Sequence, residues 1–529
     1  MLKTYRFPSD EAMPAHPRTV ALGIFDGVHL GHRAVIGAAA GAAVGEENTH
    51  SAVFTFQQPP WALPKDSAWE LLSSEAKIRA FESLGVEELI AADFEAIRGL
   101  SPRAFVETIL RDTLHAKLVV CGFNYHFGRD GAGDAAQLHE LCTACGIQTV
   151  TVDPVLLDGQ PVSASRIRRC IEEGDVHQAA RLLGRPFTID FPVEGGQKLG
   201  RLLGTPTINQ PLPPHFIRPR FGVYASSVEV EGRVTHGVTN IGVRPTVGAD
   251  GPLAETWIAD FDGDLYGQSV PVSLVKFLRP ETRFDSVEAL QKQILRDARE
   301  ARTAVMGDDE GGVQALLFDF DDTLQNRDVA FLQYCDFFLN KYFPSLTPEQ
   351  KRARAQEMLA RNNNGYVNYI DYFLTLFESW HWDDAPEVGD IYREFQFRFP
   401  EYSTLFPDAV PTLKALREKG YLLGIITNGP SVQQNRKLDV SGLRPLVDLC
   451  IVSGDEQVHK PDPEIFRRAA ARMGVGCANC VYVGDHPVND VEGARRAGMT
   501  PIFTAEAGIT LPPDNVTVIH ALSELLDIF

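Results

Sequence analysis

The chain has no apolar run approaching the roughly 20 residues that a membrane-crossing helix needs. Its opening, MLKTYRFPSDEAMPAHP, lacks the apolar stretch of an export signal. Cysteine is scarce too: eight in 529 residues do not make a disulfide framework. A cytoplasmic protein is expected. Basic side chains are outnumbered, 50 Lys and Arg against 70 Asp and Glu, giving a formal charge of −20. That balance argues against a nucleic-acid or anionic-membrane partner but leaves nucleotides open, because loops and metal bind them locally. No internal repeat or low-complexity tract is present. Two CxxC pairs, Cys142–Cys145 and Cys477–Cys480, each precede an expected strand in different domains, so buried thiols are expected rather than a zinc site.

What is present is a multidomain α/β pattern. Five β-branched runs between 18 and 154 (RTVALGIF, HSAVFTF, ELIAAD, KLVVCGF, IQTVTVDP) alternate with amphipathic segments, which predicts a parallel, Rossmann-like sheet covered by helices. From about 187 to 285 short strands broken by Gly and Pro predict a small antiparallel barrel, followed by the helical pattern SVEALQKQILRDAREARTAV. The acidic, glycine-rich MGDDEGG (306–312) reads as a linker. ALLFDF, YLLGIITNG, LCIVSG and CVYVGD then predict a second Rossmann-like sheet, interrupted at about 328–404 by a helical insertion. The division is 1–186, 187–305, linker, and 313–529.

Three groups of residues carry chemistry. The first is GIFDGVHLGH, in which Gly23, Phe25, His29 and His32 sit where a strand turns into a helix. Free N–H groups and the helix dipole favour phosphate at such a point. Two imidazoles there can stabilise charge developing at an α-phosphorus. The string resembles the nucleotidyltransferase half of the bifunctional riboflavin kinase/FMN adenylyltransferases, the prokaryotic FAD synthetases. The resemblance implies that GFNYHFG, with Asn124, faces flavin and nucleotide, and that Ser163, Ser165 and Arg168 of SASRIR hold ATP phosphates. Two positions depart from the family pattern: Gln57-Gln58-Pro59-Pro60 lacks a histidine, and Ala164 replaces a serine. An alternative therefore stays open, in which 1–186 binds flavin or nucleotide without catalysis.

The second is GRLLGTPTIN, with Gly204, Thr207 and Asn209, joined downstream by Glu255 in ETWI. Thr and Asn oxygens are hard ligands suited to Mg²⁺ on ATP phosphates, and a carboxylate on a strand can deprotonate an attacking hydroxyl. With FGVY, NIGVRPT, DLYG and Arg279 in order, this region resembles the riboflavin kinase half of the same enzymes. The resemblance implies riboflavin, FMN, FAD and ATP as substrates or products, with Mg²⁺.

The third is LLFDFDDTL, with Asp319 and Asp321, joined by Thr427, Lys460 and, in VYVGDHPVND, Asp485 and Asp490. Strand ends converging at the carboxyl edge of a βα sheet make one pocket. Like charges crowded there require a cation. Asp319 is expected to attack a phosphomonoester and Asp321 to act as acid and then base. Thr427 and Lys460 would hold phosphoryl oxygens, and Mg²⁺ would lie on Asp319, Asp485 and the Asp321 carbonyl, with Asp490 in the same group. The set resembles the haloacid dehalogenase superfamily, in its branch with a helical cap. TNGPSVQQNRKL is similar to nucleotidase-like members. Small molecules, a phosphate monoester among them, are the expected partners, with no membrane or nucleic acid.

Overall fold

A computed structural model describes the chain apart from residues 1, 9–12, 47, 57–67, 196–206, 244–250, 260, 262, 285, 286, 307–311, 366, 506–512 and 514. Gly204, Gln57–Pro60, Tyr366 and most of the linker lie outside the described residues.

The first sheet has six parallel strands in the spatial order Lys3–Phe7, Glu88–Ala92, His50–Phe56, Arg18–Leu22, Ala116–Gly122, Gln148–Val152. All five expected strands form. The sixth, Lys3–Phe7, was not foreseen, because its alternating KTYRF is exposed at the edge of the sheet. The near-continuous burial of Arg18–Leu22 and His50–Phe56 is what a sheet covered on both faces demands.

The second sheet is antiparallel, in the order Thr188–Ile189, Val272–Arg279, Gly222–Val230, Arg233–Val243, Pro252–Ile258, Thr207–Pro211. It curls until its edges meet: the Glu194 N–H donates to the Asn209 carbonyl at 2.8 Å, and the buried Gln210 amide donates to the Phe191 and Val270 carbonyls. Helices Ala164–Glu173 and Val176–Leu183 supply Ile167, Ile171 and Leu182 to the apolar cluster that holds Phe187, Tyr224 and Ile241 of the barrel. The first two units thus share a core across residue 186.

The third sheet is parallel, in the order Leu449–Val452, Leu422–Thr427, Ala315–Phe318, Cys480–Gly484, Thr500–Thr504, Thr517–Ile519. The last two strands were not anticipated. Four helices, Arg327–Tyr342, Pro348–Arg361, Tyr369–Trp380 and Val388–Arg398, form the insertion, and their aromatic side chains pack into one cluster. Tyr372 and Phe373 are buried there, and Trp380 and Trp382 lean on it, so these aromatics serve mainly as the cap's core.

Cys142 and Cys480 are buried in the cores of different units, and all eight cysteines are free thiols. No helix among the described residues is long and apolar enough to cross a membrane.

The third unit is docked on the other two. Helix Pro463–Met473 meets the barrel hairpin: Arg468 donates to the Gly232 carbonyl at 2.9 Å, and the Val234 N–H donates to Glu464. On the other side, helix Ser431–Val440 packs against helix Leu30–Ala43 of the first sheet.

Candidate functional sites

At the first site the chain leaves strand Arg18–Leu22 through a left-handed run, with Phe25 at φ 51°, Gly27 at 77° and Val28 at 38°. Glycine at 27 bears such a value without strain. His29 caps helix Leu30–Ala43, its Nδ1 accepting from the His32 N–H at 3.3 Å. The two imidazoles stack with ring centres 3.6 Å apart. Burial, with Arg185 and Arg168 nearby, pulls His29 down to about 3. Burial beside His29 holds His32 well below its ordinary range. Both rings are therefore neutral at physiological pH, and the buried His32 Nδ1 has no hydrogen-bond partner.

Helix Ala164–Glu173 starts close to Gly31, where a Cβ would crowd the His29 ring at 3.2 Å and reach the Val162 carbonyl at an ordinary 3.6 Å. Ser163 caps that helix by accepting from the Arg166 N–H, and Ser165 is exposed at its start. Arg168 points back to the turn, donating to Asp26 at 2.5 Å and to the Trp69 carbonyl at 2.9 Å. Asn124 is exposed in the loop after Ala116–Gly122. Asp26 and Lys77, which donates to the Ile24 carbonyl at 2.9 Å, belong to this site and went unnoticed in the sequence. Lys77 lies on a separate helix, and no local motif points to it.

At the second site the register does the assembling. Arg279 pairs with Val223, Val223 with Asn240, Asn240 with Glu255 and Glu255 with Asn209. Because cross-strand neighbours share a face, Asn209, Glu255 and Asn240 form one polar row. Thr207 lies two residues from Asn209 on the same strand face. Arg279, at the far end of the row, is paired with Asp297 of helix Val287–Met306 at 2.7 Å. Asn240, which opens the NIGVRPT motif but had no role of its own there, joins this site through the register.

The third site opens at the carboxyl edge of its sheet as a cavity of about 720 Å³ between sheet and cap. The Lys460 ammonium sits 2.7 Å from both Asp319 and Asp490 and 3.0 Å from the Tyr482 hydroxyl. Oxygens of Asp319, Asp485 and Asp490 lie within 4.8 Å of one another. Burial, partly offset by Lys460, lifts Asp319 to about 7. Burial and the neighbouring Asp490 and Asp319 lift Asp485 to about 9. Three carboxylates against one ammonium leave the surplus negative charge that a divalent cation with oxygen ligands would neutralise. Asp490 accepts from the His486 N–H through its second oxygen, so it fixes Lys460 and the loop together. The buried Thr427 hydroxyl has no hydrogen-bond partner and faces the cavity.

Asp321 behaves differently. Both its oxygens accept from the buried Lys437 ammonium, at 2.7 and 2.9 Å, with Gln325 and Gln434 donating at 2.5 and 2.8 Å. Burial works to raise its pKa, but Lys437 and Arg327 prevail and hold it below the usual carboxylate range. Lys437 and Gln434 were visible in TNGPSVQQNRKL but had no role there. Only the helix they share turns them towards Asp321.

Known proteins match all three units. Residues 12–166 match the FAD synthetase family, 183–305 the riboflavin kinase family and 313–498 the haloacid dehalogenase-like hydrolases. The bifunctional riboflavin kinase/FMN adenylyltransferase of Pseudomonas fluorescens is 39% identical over 293 residues, covering 55% of this chain and 94% of that protein. The chain belongs to that family. The Listeria monocytogenes enzyme of the same name is 35% identical, over 54% of this chain and 91% of its own. A solved Streptococcus pneumoniae structure, described as a macrolide-efflux protein, is 31% identical with a TM-score of 0.51, covering 56% of this chain and 98% of that one. The family members align with the first two units, and the hydrolase unit extends beyond them.

Proposed function

We propose that the chain performs three reactions. Riboflavin and ATP give FMN at the barrel, FMN and ATP give FAD and pyrophosphate at the first unit, and the third unit hydrolyses a phosphomonoester. For the flavin steps, family membership is joined by the polar row, in which Glu255 stands between Asn209 and Asn240. There Glu255 accepts the proton of the attacking ribityl hydroxyl, while Thr207 and Asn209 would offer oxygens to the Mg²⁺ that accompanies ATP and neutralises its phosphates. The neutral His29 and His32 donate to phosphate oxygens at the other site, with Ser163, Ser165 and Arg168 beside them.

The observation that carries the phosphatase reading is Lys460 wedged between Asp319 and Asp490 in a cavity that Thr427, with its unpartnered hydroxyl, also lines. The Asp319 carboxylate attacks phosphorus as the ester P–O bond breaks, and the leaving oxygen takes its proton from Asp321. Water then loses a proton to Asp321 as it attacks the resulting acyl phosphate, restoring Asp319 and freeing phosphate. Asp321 rests as the carboxylate, the form the second step needs, and an incoming phosphate dianion raises its proton affinity for the first. Asp319 and Asp485 would hold Mg²⁺, which supplies charge neutralisation at the phosphoryl oxygens.

Asn363, Asn368, Gln433 and Asn489, together with the rings of Tyr369, Tyr392 and Phe399, are among the other residues that line the cavity. That lining favours a hydroxyl-rich chain carrying a ring. The preferred substrate is a ribityl phosphate upstream of riboflavin, because hydrolysing FMN beside its own kinase would undo the first step. Phosphate release with Mg²⁺ across ribitylaminouracil phosphate, FMN and nucleotide monophosphates tests this, with Asp319→Asn as the blank. Turnover of nucleotides alone removes the ribityl preference, and no turnover above the blank removes the phosphatase.

A further inference from the structure

Helix Ser431–Val440 presents different faces to two catalytic units. At 100° per residue, Gln434 and Lys437 share one face, and Asn435 and Asp439 share another, about 150° around the helix. The first face holds Asp321 through Lys437 and Gln434. The second meets the adenylyltransferase unit at Arg33, the residue after His32. Arg33 donates to Asp439 at 3.1 and 3.2 Å and to Asn435 at 3.0 Å. Arg444 clasps the same pair, reaching Asp439 and Asn435 at 2.6 Å each.

Arg436, about 80° beyond the second face, donates to the Gly37 carbonyl at 2.7 Å and to the Phe397 carbonyl of the cap at 2.9 Å. A Cβ at Gly41 would come within 2.3 Å of its guanidinium, so the helix after His32 is pared down to receive it. The helix that aims the phosphatase's acid is thus seated on the helix that follows His29, by a partly buried bidentate ion pair. Within the third unit Asn435 and Asp439 are held by Arg444, Asp455 and Ser431, and Arg33 adds the contact that comes from outside it.

We propose that Arg33 is a positioning residue of the phosphatase, acting through helix Ser431–Val440 on the orientation of Asp321. The proposal rests on the reading of Asp321 as acid and base. Loss of the seat lets the helix shift, and a misplaced proton donor slows departure of a poor leaving group while sparing a good one. Binding of the phosphoryl group, through Thr427, Lys460 and Asp319, is left in place, so the loss falls on kcat rather than KM.

The test uses the full chain with Mg²⁺ and two esters, a primary alkyl phosphate and p-nitrophenyl phosphate. Arg33→Met and Asp439→Asn each lower kcat for the alkyl ester about tenfold, change the aryl ester less than about threefold and leave KM unaltered. The double variant loses less than the two singles combined, because they share the Arg33–Asp439 contact while each also drops one of its own, to Asn435 or to Arg444. Asp321→Asn serves as the reference and shows the same selectivity at larger amplitude. If Asp321→Asn does not discriminate between the esters, the acid–base reading fails. If it does and the Arg33 and Asp439 variants do not, or if they depress both esters alike as misfolding would, the positioning role is overturned and the reading of Asp321 stands.

Discussion

Asn209 and Glu255 face each other across two antiparallel strands, with Asn240 on Glu255's other side. A base on a strand flanked by amides is held in one orientation by the ladder itself. Replacing it therefore removes the proton acceptor without disturbing the sheet. Glu255→Gln lowers riboflavin-dependent FMN formation by about 100- to 10,000-fold. The same protein given FMN and ATP still makes FAD at the wild-type rate. Loss of both activities would show that Glu255 supports the fold rather than the kinase chemistry.

Asp319 and Asp485 predict separable effects at the third site. Asp319→Asn abolishes phosphate release by at least about a thousandfold and leaves both flavin reactions intact. Asp485→Asn raises the Mg²⁺ concentration needed for half-maximal phosphatase rate. A chelator removes the residual activity, and added Mg²⁺ returns it. An Mg²⁺ dependence identical to wild type in Asp485→Asn would remove this residue from the metal site.

The buried His29 ties stability to pH. Its folded value, about 3, is far below the ordinary imidazole value of 6.5. As pH falls through 6.5 the unfolded chain takes up the proton first, so the folded state loses stability between about pH 6.5 and 3. Above 6.5 the contribution is flat. His29→Gln removes one proton from the unfolding linkage in that window, read as a shallower fall of the melting temperature between pH 6.5 and 5. An unchanged slope would mean that the imidazole is charged in the folded protein.

Phe397 anchors the cap to the first unit, buried against Ala40, Val44 and Val432. Phe397→Ala empties this contact at a cost of about 3 kcal/mol. The expected result is an earlier calorimetric transition with the barrel's own unfolding unmoved. Coincident shifts of every transition would show that all units melt as one body.

The strands and their alternation were legible because β-branched runs separated by helical spacing leave little choice of fold. The catalytic carboxylates were legible because crowding Asp319, Asp321 and Asp322 at a strand end makes no sense without a ligand. What stayed hidden depends on register or on docking. Nothing local distinguishes Asn240 from any strand asparagine until the ladder sets it beside Glu255. Gly41 in GAAAGAA reads as a weak helix former, whereas the packed protein uses its bareness to admit Arg436. Lys437 lies in a quoted motif, yet its role needs a partner 116 residues earlier. The edge strand Lys3–Phe7 was invisible because an exposed strand carries no continuous apolar run.

The shared helix contact also bears on how such a chain can be divided. The acidic segment 307–311 is not what keeps the phosphatase in place, since Arg33, Arg436 and Arg468 grip across the junctions on either side. A cut there yields two polypeptides that stay associated, and a gene broken at that point can be complemented by its two halves expressed separately. A cut at residue 186 cannot be repaired in this way, because it opens a single apolar core.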